Sequence, residues 1–255
     1  WATIISQAVS GALCLIRLLL MRDILHVRLR SLWPSRELLS QLVRLGLPSG
    51  LTQAIFSMAM IVVQSLTNSF GTTIIAVSTV VMRVDGFAMM PNFTFGTAMT
   101  TFTGQNIGAK RLDRVEKGTK DGMKIGLVVS VILVAMILLF GRYLVEMFTS
   151  TPDVIRLSVH MMQILAVGYV AMAVTQILSG VMRGAGDTMT PMWISMITTI
   201  VIRVPIAYGL AAWLQSPDAL FISMLVSWVM GAVLTVLAYR MGRWKRKSVI
   251  SREAV

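Results

Sequence analysis

The chain has 255 residues, of which 56% are hydrophobic and only 13% charged, whereas soluble domains carry about 25% charge. Its mean hydropathy of +0.77 is that of a protein solvated mostly by lipid. A formal net charge of +12 does not point to nucleic acid, because Lys and Arg fall in short blocks between apolar runs, the pattern of cytoplasmic loops.

One cysteine, Cys14, and two histidines, His26 and His160, rule out an internal disulfide framework and a Cys/His zinc site. Trp1 already lies in an apolar run, and no basic start followed by a small-residue cleavage site is visible. The sequence reads as the carboxyl-terminal part of a longer protein.

A spanning helix needs about 20 apolar residues. Runs of that kind cover 1–20, 46–70, 74–103, 125–147, 154–181, 191–214 and 219–239. They are too long for strands and do not alternate with period two. The expected fold class is therefore an all-α integral membrane protein, a polytopic bundle of seven transmembrane helices.

If the link after the first run is cytoplasmic, Arg22, Arg28, Arg30, Arg36 and Arg44 lie inside. So do Lys110, Arg111, Arg114, Lys117, Lys120 and Lys124, then Arg183, then Arg240, Arg243, Lys245, Arg246, Lys247 and Arg252. Only Arg142 and Arg156 fall outside, so the positive-inside rule predicts a cytoplasmic carboxyl terminus.

Between the first two runs, Pro34 and Ser35 precede Leu38, Leu39, Leu42, Val43 and Leu45 at helical spacing, with Arg36, Glu37, Gln41 and Arg44 between them. Residues 21–45 are expected to be a cytoplasmic linker with an amphipathic surface helix. The 240–255 tail, with Trp244 among basic residues, reads as an interfacial anchor facing anionic lipid.

The stretch 83–110 is costly in lipid. It carries Arg83, Asp85, Pro91 and Asn92 inside an apolar span, and a charge at the bilayer centre costs about 2.5–3.5 kcal/mol on insertion scales. Arg83 and Asp85, two apart, point to different sides of a helix. Asp85, Asn92 and Gly96 form a polar, small-residue stripe. Pro91 frees the carbonyl of Phe87, and broken helices with a carboxylate beside free carbonyls are where transporters hold substrate and coupling ions.

Arg203 repeats the theme two residues before Pro205, which frees the carbonyl of Val201. Arg203 or Arg83 could pair with Asp85 in one state and release it in another. Neutral polar groups, Gln53, Gln64 and Asn68 in one span and Gln163 and Gln176 in another, suit either interhelical hydrogen bonds or a pocket wall. The candidate coupling-ion or substrate cavity thus comprises Asp85, Arg83, Asn92, Gln53, Gln176 and Arg203, with hinges at Pro91 and Pro205. No catalytic residue and no metal site is expected.

Five motifs carry a family resemblance. They are Gly46-Leu47-Pro48 opening a helix, Arg83-x-Asp85 with Pro91, Gly104-Gln-Asn-Ile-Gly-Ala109, Arg183-Gly-Ala-Gly-Asp187-Thr188 with Pro191, and Arg203-x-Pro205. In this order and spacing the chain resembles the multidrug and toxic compound extrusion (MATE) transporters. The resemblance implies two six-helix bundles with both termini cytoplasmic. Residues 1–20 would then be the last helix of a missing amino-terminal bundle, and 46–239 the carboxyl-terminal bundle.

It further implies an antiporter that exports organic, often cationic, compounds in exchange for protons or sodium ions. Such a protein is a multi-pass transporter of the plasma (cytoplasmic) membrane, working by alternating access. Its partners are a small organic substrate, the lipid bilayer and its own amino-terminal bundle, with no nucleic acid and no cofactor beyond H+ or Na+. Some members carry acidic residues in the first and fourth helices of the second bundle. Here 46–70 and 154–181 have only Gln and Asn in their interiors, leaving Asp85 as the interior carboxylate. The alternative reading is a lipid or lipid-linked sugar flippase of the same superfamily, which predicts a more cationic cavity. An intramembrane enzyme is disfavoured because no acids, bases or metal ligands converge.

Overall fold

The computed structural model describes residues 1–20 and 35–246. The expected inside charges Arg22, Arg28, Arg30, Lys247 and Arg252, together with Pro34 and His26, lie outside the described residues. Every regular element is a helix: α1 (Ala2–Leu20), α2 (Arg36–Ser69), α3 (Thr72–Gly108), α4 (Leu112–Glu146), α5 (Pro152–Gly184), α6 (Met189–Met196), a π-helical stretch (Ile197–Arg203), α7 (Val204–Leu214), α8 (Asp218–Arg240) and the short α9 (Arg243–Arg246). Among the described residues six spans are long and apolar enough to cross a membrane, with Met189–Leu214 counting as one. The shorter α1 is apolar as well.

The chain divides into Trp1–Arg44 and Leu45–Val255. The first part contains α1 and the opening turns of α2. The described part of the expected 21–45 linker, from Arg36 onward, winds directly into α2 without the separate surface helix read from the sequence.

Helices outrun the apolar windows because a window detects lipid, not helix. Residues 112–124 are too charged to sit in hydrocarbon, yet they extend α4 because Val115 and Thr119 face inward and are buried while the charges point out. Gly71, at φ +90, makes the tight reversal between α2 and α3. Pro152 opens α5 at its first position, where no N–H is needed.

In the second part α5 is the core helix, with 56% of its most apolar window buried against 11% for α2. Around it one cluster joins Val77, Val81 and Val84 of α3 to Met161, Met162 and Leu165 of α5 and Leu220 and Trp228 of α8. A second cluster joins Met99, Ile177, Val181, Met182 and Trp244.

Helices α3 and α5 meet backbone to backbone. A Cβ on Gly180 would lie 2.3 Å from the Gly96 carbonyl oxygen, and one on Gly184 2.4 Å from that of Thr100. Small residues four apart let two backbones touch, which drives helix association where water exerts no hydrophobic force. Gly96, expected on a cavity-lining stripe, is buried in this crossing instead.

Candidate functional site

Residues on α2, α3, α5, the 189–214 span and α8 line a partly open cavity of about 290 Å³. Along α5 it is lined by Thr175, Gln176, Ser179 and Arg183, a stripe on one helix face. Opposite stand Ser195, Thr198, Thr199 and Arg203, while Gln53 and Phe56 come from α2 and Ser227 and Trp228 from α8. Three expected site residues, Gln53, Gln176 and Arg203, therefore meet in one place.

Arg203 closes the π-helical stretch. A π turn inserts a residue into the α ladder and leaves a carbonyl without its usual partner. Here the Thr198 carbonyl accepts a 2.8 Å hydrogen bond from Ser227 Oγ across the interface with α8. The irregularity ahead of Pro205, which offers no N–H to the Val201 carbonyl, is spread over the seven residues Ile197–Arg203. Arg203 is 2% exposed, and its Nε has no hydrogen-bond partner among the described residues.

Asp85, Asn92 and Arg83 lie elsewhere. Asp85 is partly buried and accepts a short hydrogen bond from the Tyr169 hydroxyl of α5. Asn92, 1% exposed, donates through Nδ2 to the Tyr169 carbonyl at 3.2 Å and accepts from Ser130 Oγ at 3.1 Å. Arg83 is exposed and lies 5.7 Å from the centroid of the Phe148 ring. No ion pair between Asp85 and either Arg83 or Arg203 forms among the described residues. Helix α3 runs through Pro91 as one element, so the break expected there is absent.

Sequence reasoning missed Tyr169. It joins Asp85 and Asn92, and its ring lies 6.0 Å from that of Trp228, which lines the cavity. The signal was available, because a tyrosine deep in an apolar span needs an acceptor for its O–H. Gln64 and Asn68 bond to each other at 3.0 Å on the exposed face of α2 and line no part of the cavity.

A family model described as MatE matches residues 48–209, well over half of the chain. The chain belongs to the MatE family. This MatE chain is 31% identical over 221 residues to the probable multidrug resistance protein YpnP of Bacillus subtilis (strain 168), covering 86% of this chain and 49% of that protein. It is 26% identical over 255 residues to the probable multidrug resistance protein NorM of Thermotoga maritima, covering 100% of this chain and 55% of that one.

A solved outward-facing multidrug resistance MATE family transporter of the MOP superfamily matches at a TM-score of 0.86 and 25% identity, covering 96% of this chain and 55% of that chain. The chain spans about half the length of the curated relatives it matches. It is an all-helical, multi-pass membrane member of the MatE family.

Proposed function

We propose that this chain forms the carboxyl-terminal half of a secondary active exporter of organic compounds, driven by an ion gradient and working by alternating access. The observation that carries the reading is the cavity among five spans, whose apolar wall, including Phe56, Phe93, Met172 and Trp228, carries the polar groups Gln53, Gln176 and Arg203. Substrate sites of secondary transporters lie where helices are interrupted at membrane depth, and here the π stretch provides the interruption.

The coupling ion is a proton, held at Asp85. An intramembrane carboxylate bonded to a phenol suits proton relay, and Tyr169 can donate to the carboxylate or accept from the acid. Tyr169 also packs on Trp228 at the cavity edge, which couples the protonation of Asp85 to the shape of that wall. In the bilayer the carboxyl terminus and the corner after α3 face the cytoplasm, by the weight of basic residues.

The test is accumulation of several organic dyes in inside-out vesicles containing the full-length protein, under a proton gradient and then a sodium gradient. Movement under the proton gradient alone, lost in Asp85→Asn, is expected. Movement that follows sodium, or that survives Asp85→Asn, would sink the coupling assignment. One observation favours the flippase alternative: Arg183 and Arg203 line the cavity and, among the described residues, no carboxylate does. Labelled lipid crossing the bilayer while no dye moves would make that reading the function.

A further inference from the structure

We propose that the cavity containing Arg203 is an anion subsite, in which the Arg203 guanidinium takes a carboxylate or phosphate group of the carried molecule and Arg183 supplies the second positive charge. This deepens the carrier reading above by assigning the polarity of the group it handles. Arg203 is 2% exposed and Nε is unpartnered among the described residues. A guanidinium keeps its charge at any accessible pH and presents five donors in a rigid fork. Burying it without an acceptor is strongly unfavourable, so the geometry calls for one.

No wall group is hydrogen-bonded to Arg203 Nε among the described residues. Thr198 donates its proton to the Ile194 carbonyl, Thr175 to that of Ala171 and Ser227 to that of Thr198. Among the described residues the wall offers the guanidinium only neutral acceptors, such as these hydroxyls and the amide oxygens of Gln53 and Gln176, while Arg183 adds a second charged donor. Asp85 is not part of the wall, and its described partner is Tyr169.

A planar guanidinium matches carboxylate and phosphate with two parallel hydrogen bonds, more strongly than neutral acceptors. A volume of about 290 Å³ sits at the lower edge of the roughly 300–1,000 Å³ of ligand pockets. It is room for an anionic group with its attached ring rather than for a whole amphiphile.

The experiment uses the full-length protein in phosphatidylcholine nanodiscs and two dyes that share a xanthene frame, anionic fluorescein and cationic rhodamine 6G, titrated by fluorescence anisotropy. Fluorescein should bind more tightly than rhodamine 6G. Arg203→Gln should weaken fluorescein by about tenfold or more and Arg203→Lys by less, while rhodamine 6G is not weakened, because a repelling charge has been removed. The ligand-free Tm of Arg203→Gln should equal or exceed that of the wild type, because an unpaired buried charge has been removed. A lower Tm would show that an acceptor elsewhere in the full-length protein holds the guanidinium, and it would overturn the proposal.

So would failure of the wild type to bind fluorescein, tighter binding of rhodamine 6G, or fluorescein affinity insensitive to Arg203→Gln. Repeating the titration in discs with phosphatidylglycerol separates the sources. Displacement of fluorescein assigns the site to a lipid headgroup and no displacement to a soluble anion, and both uphold the anion subsite. Arg203-dependent fluorescein binding with no gradient-driven movement of any dye would remove the carrier reading and leave the subsite standing.

Discussion

Tyr169 serves two polar groups of α3 at once, its hydroxyl donating to Asp85 and its carbonyl accepting from Asn92. Removing the hydroxyl leaves a partly buried carboxylate without its described donor, a loss of about 1–3 kcal/mol. Tyr169→Phe is therefore expected to lower the Tm of the solubilised protein. In Asp85→Asn/Tyr169→Phe the two effects should be non-additive by about 0.5–3 kcal/mol, the range for contacting groups. Additive Tm shifts would mean that the two side chains act separately. Asn92→Ala orphans Ser130 Oγ and is expected to destabilise by about 1–3 kcal/mol. It should leave substrate affinity unchanged, because Asn92 lies outside the cavity wall.

At the scale of the element, two devices position the site. The first is the glycine crossing of α3 and α5. A methyl on Gly180 has nowhere to go beside the Gly96 backbone, so Gly180→Ala should cost about 1–3 kcal/mol by overpacking. Gly209→Ala on α7, with nothing within 4 Å of its new Cβ, should leave the Tm equal or slightly raised; equal losses at both positions would refute the packing account.

The second is the π stretch. A π turn accommodates one extra residue, so deleting Ile200, an exposed residue within Ile197–Arg203, would return the stretch to α geometry with its flanks in register. Inserting one alanine after Ile200 would instead turn one side of the span by about 100° relative to the other. The insertion should take Arg203 out of the cavity wall. The expected result for the insertion is unchanged helical circular dichroism with Arg203-dependent binding lost; retained binding would show that the register of this stretch has no positioning role.

For the whole molecule, orientation is the property with the widest consequences, since it decides which way cargo moves. Basic residues gather at the corner after α3 and at the end of α8, where Lys245 pairs with Glu116. Arg156 stands with Asp153 at the start of α5. In a full-length Cys14→Ser background, Arg156→Cys should react with a membrane-impermeant maleimide on intact cells, and Lys117→Cys only after permeabilisation. The reverse pattern would invert the assigned topology.

Much of the architecture was legible because lipid imposes a simple rule. Apolar runs near 20 residues must be helices, and blocks such as Arg240, Arg243 and Lys245 must lie outside the hydrocarbon. The motifs around Arg183–Asp187 and Arg203–Pro205 likewise carried the family. What local sequence could not decide was which side of each helix faces which neighbour. Asp85, Asn92 and Arg203 look alike along the chain, as polar groups in apolar spans, yet packing separates them. Asn92 is spent on Tyr169 and Ser130, Asp85 is bonded by a phenol 84 positions away, and Arg203 is turned into a cavity by a π stretch that no residue pattern announced. The apolar content of each run determined the helices, because transfer from water to lipid depends on composition. Only the tertiary structure decided the site, because hydrogen bonds and cavities depend on where helices from distant parts of the chain meet.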